Sequence, residues 1–333
     1  MDRIAVIGAG SWGTAVAALA AATTETVLWA RRAELARAIE DDHVNPDYLP
    51  DLTLPDSLTA THDLGEAVAG ADAVVMAVPS HGFRDVFSRI SGALDVRTPV
   101  VSLTKGIEQG SLARMTEIIA SVGPGRDPAL SGVLTGPNLA SEIIAGQPTA
   151  AVIAMADPPS AVSLQQVFMG PAFRVYTNDD VIGCEIAGAL KNVMAIASGM
   201  SDGLGFGDNT RATLLTRALA ELTRLGVALG GRPETFAGLA GMGDLIATCS
   251  SVKSRNHRVG FCLARGQTLD EIVEEMHMVA EGVKTTQGVL GLAERTGVDM
   301  PIATHVGMVL EGEITPREGV LSLMSRDAKA EST

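Results

Sequence analysis

The chain has 333 residues, of which 46% are hydrophobic and 19% charged, and its formal net charge is −14. The length predicts two domains, and the composition is typical of a folded globular protein. The negative charge excludes broad binding to nucleic acid or to an anionic membrane surface, because both attract basic proteins. An anionic ligand would need a local concentration of lysine, arginine and backbone N–H groups.

Apolar runs and helix-like segments alternate in the first 180 residues. The runs are continuous, which is typical of strands whose two faces are both covered in a parallel sheet. The predicted strands are 3–7, 26–30, 73–78, 99–103, 133–134, 150–154 and 173–176. The predicted helices among them are 14–22, 82–91, 111–120 and 160–169. This order predicts an α/β domain with a doubly wound sheet.

A different pattern begins near residue 180. Asn178, Asp179 and Asp180 offer capping side chains and negative charge for a helix start. Helical periodicity then continues to about residue 325, with predicted helices at 181–199, 209–229, 269–278, 282–296 and 302–311. The sequence therefore predicts an α/β domain over residues 1–179 and an all-α domain over residues 180–333.

A glycine pattern joins the first predicted strand to the first predicted helix. Gly8 permits a tight turn, Gly10 lets the backbone approach a pyrophosphate, and Gly13 lets the helix pack closely on the strand. The helix N-terminus adds unpaired N–H groups and a partial positive charge. We therefore expect a Rossmann-type dinucleotide-binding domain over residues 1–179.

The end of the second predicted strand bears on the choice of cofactor. A domain that prefers NAD(H) usually carries Asp or Glu about 20 residues after the glycines. Here Arg31 and Arg32 follow the strand, and guanidinium groups suit the 2′-phosphate of NADP(H). Two alternatives stay open: the arginines could be solvated residues at a helix start, and Glu34 is close enough to favour NAD(H).

Lys191 is the candidate catalytic residue. Its sequence neighbours are almost wholly apolar, and a lysine among them is costly unless it has a task or a partner. An ammonium group in such surroundings can stabilise a negative charge that develops on a substrate and can donate a proton to it. Lys105 could be a second cation beside it. Asp244 could hold Lys191 or cap the following helix, and Lys191 could instead extend along a helix edge to solvent.

Ser254, Arg255 and Asn256 form a run of donors suited to a phosphate dianion, with a plain solvated loop as the alternative. We interpret the neighbouring His257 as a surface residue. No histidine or cysteine spacing indicates a metal site, so no metal is expected. No uninterrupted apolar run reaches the roughly 20 residues of a membrane span, and the N-terminus lacks a signal-peptide pattern. We therefore expect a cytoplasmic protein without stable membrane insertion.

Seven stretches in both halves of the chain carry a resemblance. They are 8–14 (GAGSWGT), 102–106 (SLTKG), 135–140 (TGPNLA), 189–193 (ALKNV), 238–245 (GLAGMGDL), 254–256 (SRN) and 279–283 (VAEGV). In this order they resemble the bacterial NAD(P)-dependent glycerol-3-phosphate dehydrogenases. The resemblance implies a 6-phosphogluconate-dehydrogenase-like fold, an α/β Rossmann-type domain followed by an all-α domain, with the active site in the cleft between them.

The resemblance also implies a reaction, the reduction of dihydroxyacetone phosphate to sn-glycerol 3-phosphate, with NADP(H) and also NAD(H) as the cofactor. It further implies that the product is used for glycerophospholipid synthesis and that the enzyme is a homodimer. The residues that would bind the substrate are Lys105, Gly136, Asn138, Lys191, Asp244, Ser254, Arg255 and Asn256. Those that would bind the cofactor are Gly8, Gly10, Ser11, Trp12, Gly13, Arg31, Arg32, Lys105, Ala140, Arg255, Val279 and Glu281. The family usually has Ser or Thr at the position of Asn138, whose amide can still donate and accept hydrogen bonds.

Two other functions stay open from the sequence. One is a hydroxyacid dehydrogenase of the 6-phosphogluconate or 3-hydroxyisobutyrate type, which also pairs a Rossmann domain with a helical domain and a catalytic lysine. The segments 254–256 and 241–244 argue against it. The other is a non-catalytic NADPH-binding sensor, which would have no need of Lys191.

Overall fold

An eight-stranded sheet dominates the first half of the computed structural model, which describes residues 1–276, 280–328 and 330. The strands are β1 (Arg3–Ile7), β2 (Glu25–Trp29), β3 (Val44–Asn45), β4 (Leu49–Thr53), β5 (Leu58–Thr61), β6 (Ala73–Met76), β7 (Val100–Ser102), β8 (Ser131–Thr135), β9 (Thr149–Met155) and β10 (Phe173–Asn178). The sheet has the order β10-β9-β8-β7-β6-β1-β2-β5, and β3 and β4 form a separate antiparallel hairpin. Neighbours in the sheet are parallel except β8 and β9, so the predicted parallel arrangement fails for that pair alone.

Helices cover both faces of the sheet. Those of the first half are α1 (Ser11–Ala20), α2 (Ala33–Asp42), α3 (Leu64–Val68), α4 (Ser80–Ser91), α5 (Met115–Val122), α6 (Ala140–Ile144) and α7 (Pro158–Phe168). Ile4 and Val6 of β1 pack in one cluster with α1, α2 and α7, whereas Ala5 and Ile7 pack in another with α3, α4 and α5. Both faces of β1 are therefore buried, which explains why its apolar run is continuous.

The second half is helical, and no strand follows Asn178 among the described residues. Its helices are α8 (Val181–Gly203), α9 (Asp208–Ala228), α10 (Pro233–Ala237), α11 (Asp244–Ser250), α12 (Arg255–Ala264), α13 (Leu269–Met276), α14 (Glu281–Thr296), α15 (Pro301–Leu310) and α16 (Pro316–Met324). A π-helical turn, Leu239–Gly243, leads into α11. The last two residues of the predicted helix 269–278 lie outside the described residues. The division at residues 179 and 180 stays a prediction.

The central helix of the second half is α8. By length and composition it could cross a membrane, but 83% of the apolar 18-residue stretch that meets this criterion is buried inside the protein. A Cβ atom at Gly199 would lie 1.9 Å from the carbonyl oxygen of His257, and one at Gly260 would lie 1.9 Å from that of Ile196. The backbones of α8 and α12 are therefore in contact, which places the start of α12 against the helix that carries Lys191.

Several short elements have too little periodicity to be predicted. They include α3, α6 and α10, which have five residues each, and the hairpin of β3 and β4, whose strands have two and five residues. Such segments bury too few apolar side chains to give a repeating pattern. The helices α2, α11, α12 and α16 and the strand β5 were also not predicted.

Candidate active site

The loop between β1 and α1 has the backbone that its glycines predict. Gly8 has a φ of +123°, and a Cβ atom there would lie 2.6 Å from the carbonyl oxygen of Ala77. A Cβ at Gly13 would lie 2.0 Å from the carbonyl oxygen of Gly8. At Gly10, apart from its chain neighbours, no heavy atom of the described residues lies within 4 Å of a Cβ position. This open approach, directly before the first turn of α1, fits a bound pyrophosphate.

The hairpin of β3 and β4 packs against the same loop. Asn45 is fully buried and donates through Nδ2 to the carbonyl oxygen of Ala9 (3.0 Å) and to Oγ1 of Thr14 (2.8 Å). Ser11 Oγ donates to the carbonyl oxygen of Tyr48 (3.5 Å). The hairpin therefore holds the glycine loop in place. The Asn-Pro dipeptide at residues 45–46 is a turn signal that could have revealed it in the sequence.

Two arginines lie where the sequence analysis expected a 2′-phosphate. Arg31 and Arg32 directly follow Ala30, at the carboxyl end of β2, and both are exposed. Arg32 forms an ion pair with Asp47 of the hairpin. Trp12 is partly buried on α1 and packs against Phe173, with 6.4 Å between the ring centroids.

Lys191 lies on α8 with only 7% of its side chain exposed. Its ammonium group lies 2.8 Å from Asp244 Oδ1 and donates to Thr248 Oγ1 over 2.7 Å. Thr248 also donates to Asp244 Oδ1 over 3.2 Å. Because the ammonium is held inside the protein, the alternative of a lysine that extends to solvent is wrong.

Lys105 reaches the same carboxylate from the loop after β7. Its Nζ pairs with Asp244 Oδ2, and it donates to the carbonyl oxygen of Gly136 (3.1 Å) and to Asn138 Oδ1 (2.8 Å). Burial lowers the pKa of Lys105 from 10.5 to about 7; the Asp244 carboxylate opposes this change, and the Lys191 ammonium adds to it. The structure thus brings these five residues together from four separate segments.

Asp244 is the anionic centre of the cluster, and its side chain is 1% exposed. Burial alone would raise the pKa of Asp244, but the two ammonium groups outweigh it and hold the pKa below its ordinary value of 3.8. The N-cap of α11 is Gly243, so the alternative in which Asp244 is only a helix cap is wrong. With both lysines protonated, the cluster has one excess positive charge, which suits an anionic substrate or a developing oxyanion.

Sequence reasoning missed two polar residues at this site, Thr248 and Asn192. Thr248 stands four residues after Asp244, the spacing that puts two side chains on one helix face. Asn192 donates to the carbonyl oxygen of Lys105 (3.0 Å) and accepts from Asn256 Nδ2 (3.0 Å). It therefore links the loop of Lys105 to the start of α12.

A cavity of about 510 Å³ lies elsewhere, between β10, α10 and the π-helical turn. None of the predicted site residues that the structure describes lines it. The candidate site is marked by buried charged groups and not by this cavity. Lys105 and Lys191 are each in direct contact with the Asp244 carboxylate, and the three side chains leave little open space between them.

Two family models together match most of the chain. The N-terminal model of NAD-dependent glycerol-3-phosphate dehydrogenase matches residues 3–161, and the C-terminal model matches residues 180–321. The chain belongs to this family. The resemblance drawn from the sequence motifs is therefore confirmed.

Individual relatives agree with this assignment. Glycerol-3-phosphate dehydrogenase (NAD(P)+) 2 of Sphingopyxis alaskensis is 56% identical over 94% of this chain and 93% of its own length. The glycerol-3-phosphate dehydrogenase (NAD(P)+) of Thermobifida fusca is 52% identical over 99% of both chains. The crystal structure of glycerol-3-phosphate dehydrogenase from Coxiella burnetii has a TM-score of 0.91 and 37% identity, covering 98% of this chain and 99% of that one. The predicted fold class is confirmed.

The family's donor run, residues 254–256, forms the start of α12. Ser254 is buried and caps the helix by accepting from the backbone N–H of His257 (3.3 Å), while Arg255 is exposed. Asn256 accepts from the backbone N–H of Gly282 (2.9 Å). The prediction that His257 is a surface residue is wrong: it is buried, and its Nε2 lies 2.9 Å from Asp202 Oδ2.

Two further residues predicted to bind the cofactor, Glu281 and Ala140, lie at helix starts. Glu281 begins α14 and accepts from the backbone N–H (3.2 Å) and the hydroxyl group (2.8 Å) of Ser80, the first residue of α4. Ala140 begins α6 and is buried. Val279 lies outside the described residues.

Proposed function

We propose that the chain catalyses the reversible reduction of dihydroxyacetone phosphate to sn-glycerol 3-phosphate, with Lys191 as the proton donor and acceptor. The observation that carries this proposal is the buried cluster of Lys105, Lys191 and Asp244 in a member of this dehydrogenase family. When bound, the reduced nicotinamide cofactor supplies a hydride to the ketone carbon.

Lys191 acts on the oxygen of that ketone. Its ammonium group stabilises the negative charge that develops there and donates a proton, which completes the new hydroxyl group. The neutral amine left behind takes a proton from solvent before the next turnover, and in the oxidative direction the amine accepts the hydroxyl proton. Asp244 and Thr248 orient Lys191 through the contacts of 2.8 Å and 2.7 Å. The low exposure of the site strengthens these charge interactions.

The substrate phosphate requires donors and positive charge. We assign it to Ser254, Arg255 and Asn256 at the N-terminus of α12, where backbone N–H groups favour an anion. Three other residues are also proposed to bind the substrate. They are Lys105 and the two residues that accept hydrogen bonds from its ammonium group, Gly136 and Asn138. The proposed cofactor residues are Gly8, Gly10, Ser11, Trp12, Gly13, Arg31, Arg32, Lys105, Ala140, Arg255, Val279 and Glu281.

The test is a spectrophotometric assay of NADPH and NADH consumption with dihydroxyacetone phosphate, compared with formation of NADPH and NADH from the oxidised cofactors with 3-hydroxy acids as substrates. We expect turnover with dihydroxyacetone phosphate and at least a roughly 100-fold loss in Lys191→Ala, the usual contribution of a general acid. Turnover of a 3-hydroxy acid alone would favour the hydroxyacid dehydrogenase. Activity of Lys191→Ala within about tenfold of the unchanged protein would remove Lys191 from the mechanism.

The domain division at 179/180, a cytoplasmic location, a homodimer and a role in glycerophospholipid synthesis are parts of the same proposal. Light scattering of the purified chain tests the dimer. Glycerophospholipid labelling in cells depleted of the protein tests the metabolic role. Limited proteolysis that releases fragments divided near residue 180 would support the proposed domains.

A further inference from the structure

The ion pair between Arg32 and Asp47 has no role in the mechanism above. Arg32 follows the carboxyl end of β2, and Asp47 stands in the turn between β3 and β4. Both side chains are about half exposed, at 52% and 40%. Solvent and a cofactor can therefore both reach the pair.

The turn that carries Asp47 is held in a fixed position. On its β3 side, buried Asn45 is bonded to Ala9 and Thr14 of the glycine loop and first helix, and on its β4 side the carbonyl of Tyr48 accepts from Ser11. Asp47 lies between these two anchors. The hairpin thus places the Asp47 carboxylate beside the end of β2. At this position a domain that prefers NAD(H) usually has Asp or Glu, whereas this chain has Arg31 and Arg32.

This carboxylate acts in opposite directions on the two cofactors. A Rossmann domain that prefers NAD(H) uses an acid at the end of its second strand to accept from the ribose 2′-hydroxyl. A 2′-phosphate needs the Arg32 guanidinium that Asp47 already engages, and two negative groups in one place repel each other. The exposed Glu34 of α2 adds negative charge close by in the chain, while Arg31 adds positive charge.

We propose that Asp47 is a specificity-determining residue, which lowers the preference for NADP(H) over NAD(H) by competing with the 2′-phosphate for Arg32. This inference rests on the proposed function only in that the chain uses a nicotinamide cofactor. Asp47 lies in the turn between β3 and β4 and not at the end of β2. The rule that predicts cofactor preference from the residues after β2 therefore does not detect it.

The test uses binding of 2′,5′-ADP and of 5′-AMP, measured by isothermal titration calorimetry. Since the two probes differ only in the 2′-phosphate, the ratio of their affinities reports recognition of that group. In Asp47→Asn we expect the ratio to favour 2′,5′-ADP at least about threefold more than in the unchanged protein, because a charged competitor is removed. Asp51→Asn, an exposed position on β4 with no ion pair to Arg32 among the described residues, makes the same charge change and should leave the ratio unchanged.

A second comparison isolates the competition. In a protein that already carries Arg32→Gln, the guanidinium for which Asp47 and the 2′-phosphate compete is absent. Asp47→Asn should then change the affinity ratio by less than about half of its change in the protein with Arg32. The kcat/KM ratio for NADPH over NADH should follow the binding ratio. A change below threefold in Asp47→Asn, or an equal change in Asp51→Asn, overturns the inference. Failure of dihydroxyacetone phosphate turnover with an intact probe result would instead count against the proposed substrate.

Discussion

Lys191 and Lys105 share one carboxylate: Lys191 lies 2.8 Å from Oδ1 of Asp244, and Lys105 pairs with Oδ2. The two lysines are 86 residues apart in the sequence and come from opposite halves of the chain. Asp244 therefore holds the ammonium from the sheet side and the ammonium from the helical side at one point. The contact between the two halves and the meeting of these three charges therefore depend on the same residue, Asp244.

Replacement of Asp244 by Asn should disable the cluster. Two buried ammonium groups would lose their counter-charge, so we expect at least a roughly 100-fold loss of kcat and a fall in unfolding free energy of about 3 kcal/mol. Chemical denaturation and steady-state kinetics measure the two effects. Asp41→Asn, an exposed position on α2, is the matched control. Unaltered stability in Asp244→Asn would show that the two ion pairs contribute nothing to the fold.

The pH dependence of catalysis should report the charge of Lys105. Because burial lowers the pKa of Lys105 to about 7, its ammonium is present below that pH and is lost as the pH rises through it. We expect kcat/KM for dihydroxyacetone phosphate to fall across this range, since this ratio follows titration of the free enzyme. Lys105→Arg keeps the charge at every pH and should remove the fall. Lys253→Arg, an exposed lysine, should retain it. An identical fall in Lys105→Arg would assign the titration to another group.

Two substitutions separate the folding role of the glycine loop from its binding role. Gly13→Ala places a Cβ 2.0 Å from a backbone oxygen, so we expect a loss of about 1–3 kcal/mol of stability. Gly10→Ala meets open space and should leave the melting temperature unchanged. Its Cβ would instead keep a pyrophosphate away from the backbone, and we expect the KM of the cofactor to rise roughly tenfold. Unchanged cofactor binding in Gly10→Ala would contradict the proposed approach.

Stability should depend on pH through Glu221 of α9. Glu221 is buried and accepts from the backbone N–H groups of Ile302 (2.8 Å) and Ala303 (3.4 Å). Burial raises the pKa of Glu221 from 4.5 to about 7. The folded state thus holds this proton more tightly than the unfolded state, and the stabilisation is complete below pH 4.5 and lost as the pH rises to about 7.

Glu221→Gln keeps an acceptor oxygen and removes the charge. Above about pH 7 the variant should be more stable than the unchanged protein by about 1–3 kcal/mol, and the difference should vanish at low pH. Melting curves recorded across the range measure this difference. Glu234→Gln, at an exposed position, should show no such gain. A gain that is constant with pH would mean that the charge of Glu221 is not its cause.

Local chemistry made much of the protein predictable. The glycine loop could be recognised because turn geometry and helix packing constrain residues only a few positions apart, and the main strands because burial on both faces leaves continuous apolar runs. Lys191 stood out because a lysine among apolar neighbours on a helix is costly without a partner. His257 was misplaced, since its partner Asp202 is 55 residues away in the sequence and only packing of α12 on α8 brings them together.

The sequence by itself therefore determined the order of the main strands and of the longer helices, the glycine loop and the residue types of the candidate site. Only the tertiary structure decided that Lys105 and Asp244, which are 139 residues apart, form one ionic cluster with Lys191. It also decided that the Asn45–Tyr48 turn lies over the glycine loop and that Asp47 meets Arg32. The physical reason is that periodicity and turn rules describe neighbours along the chain, whereas ion pairing and burial depend on which surfaces pack together.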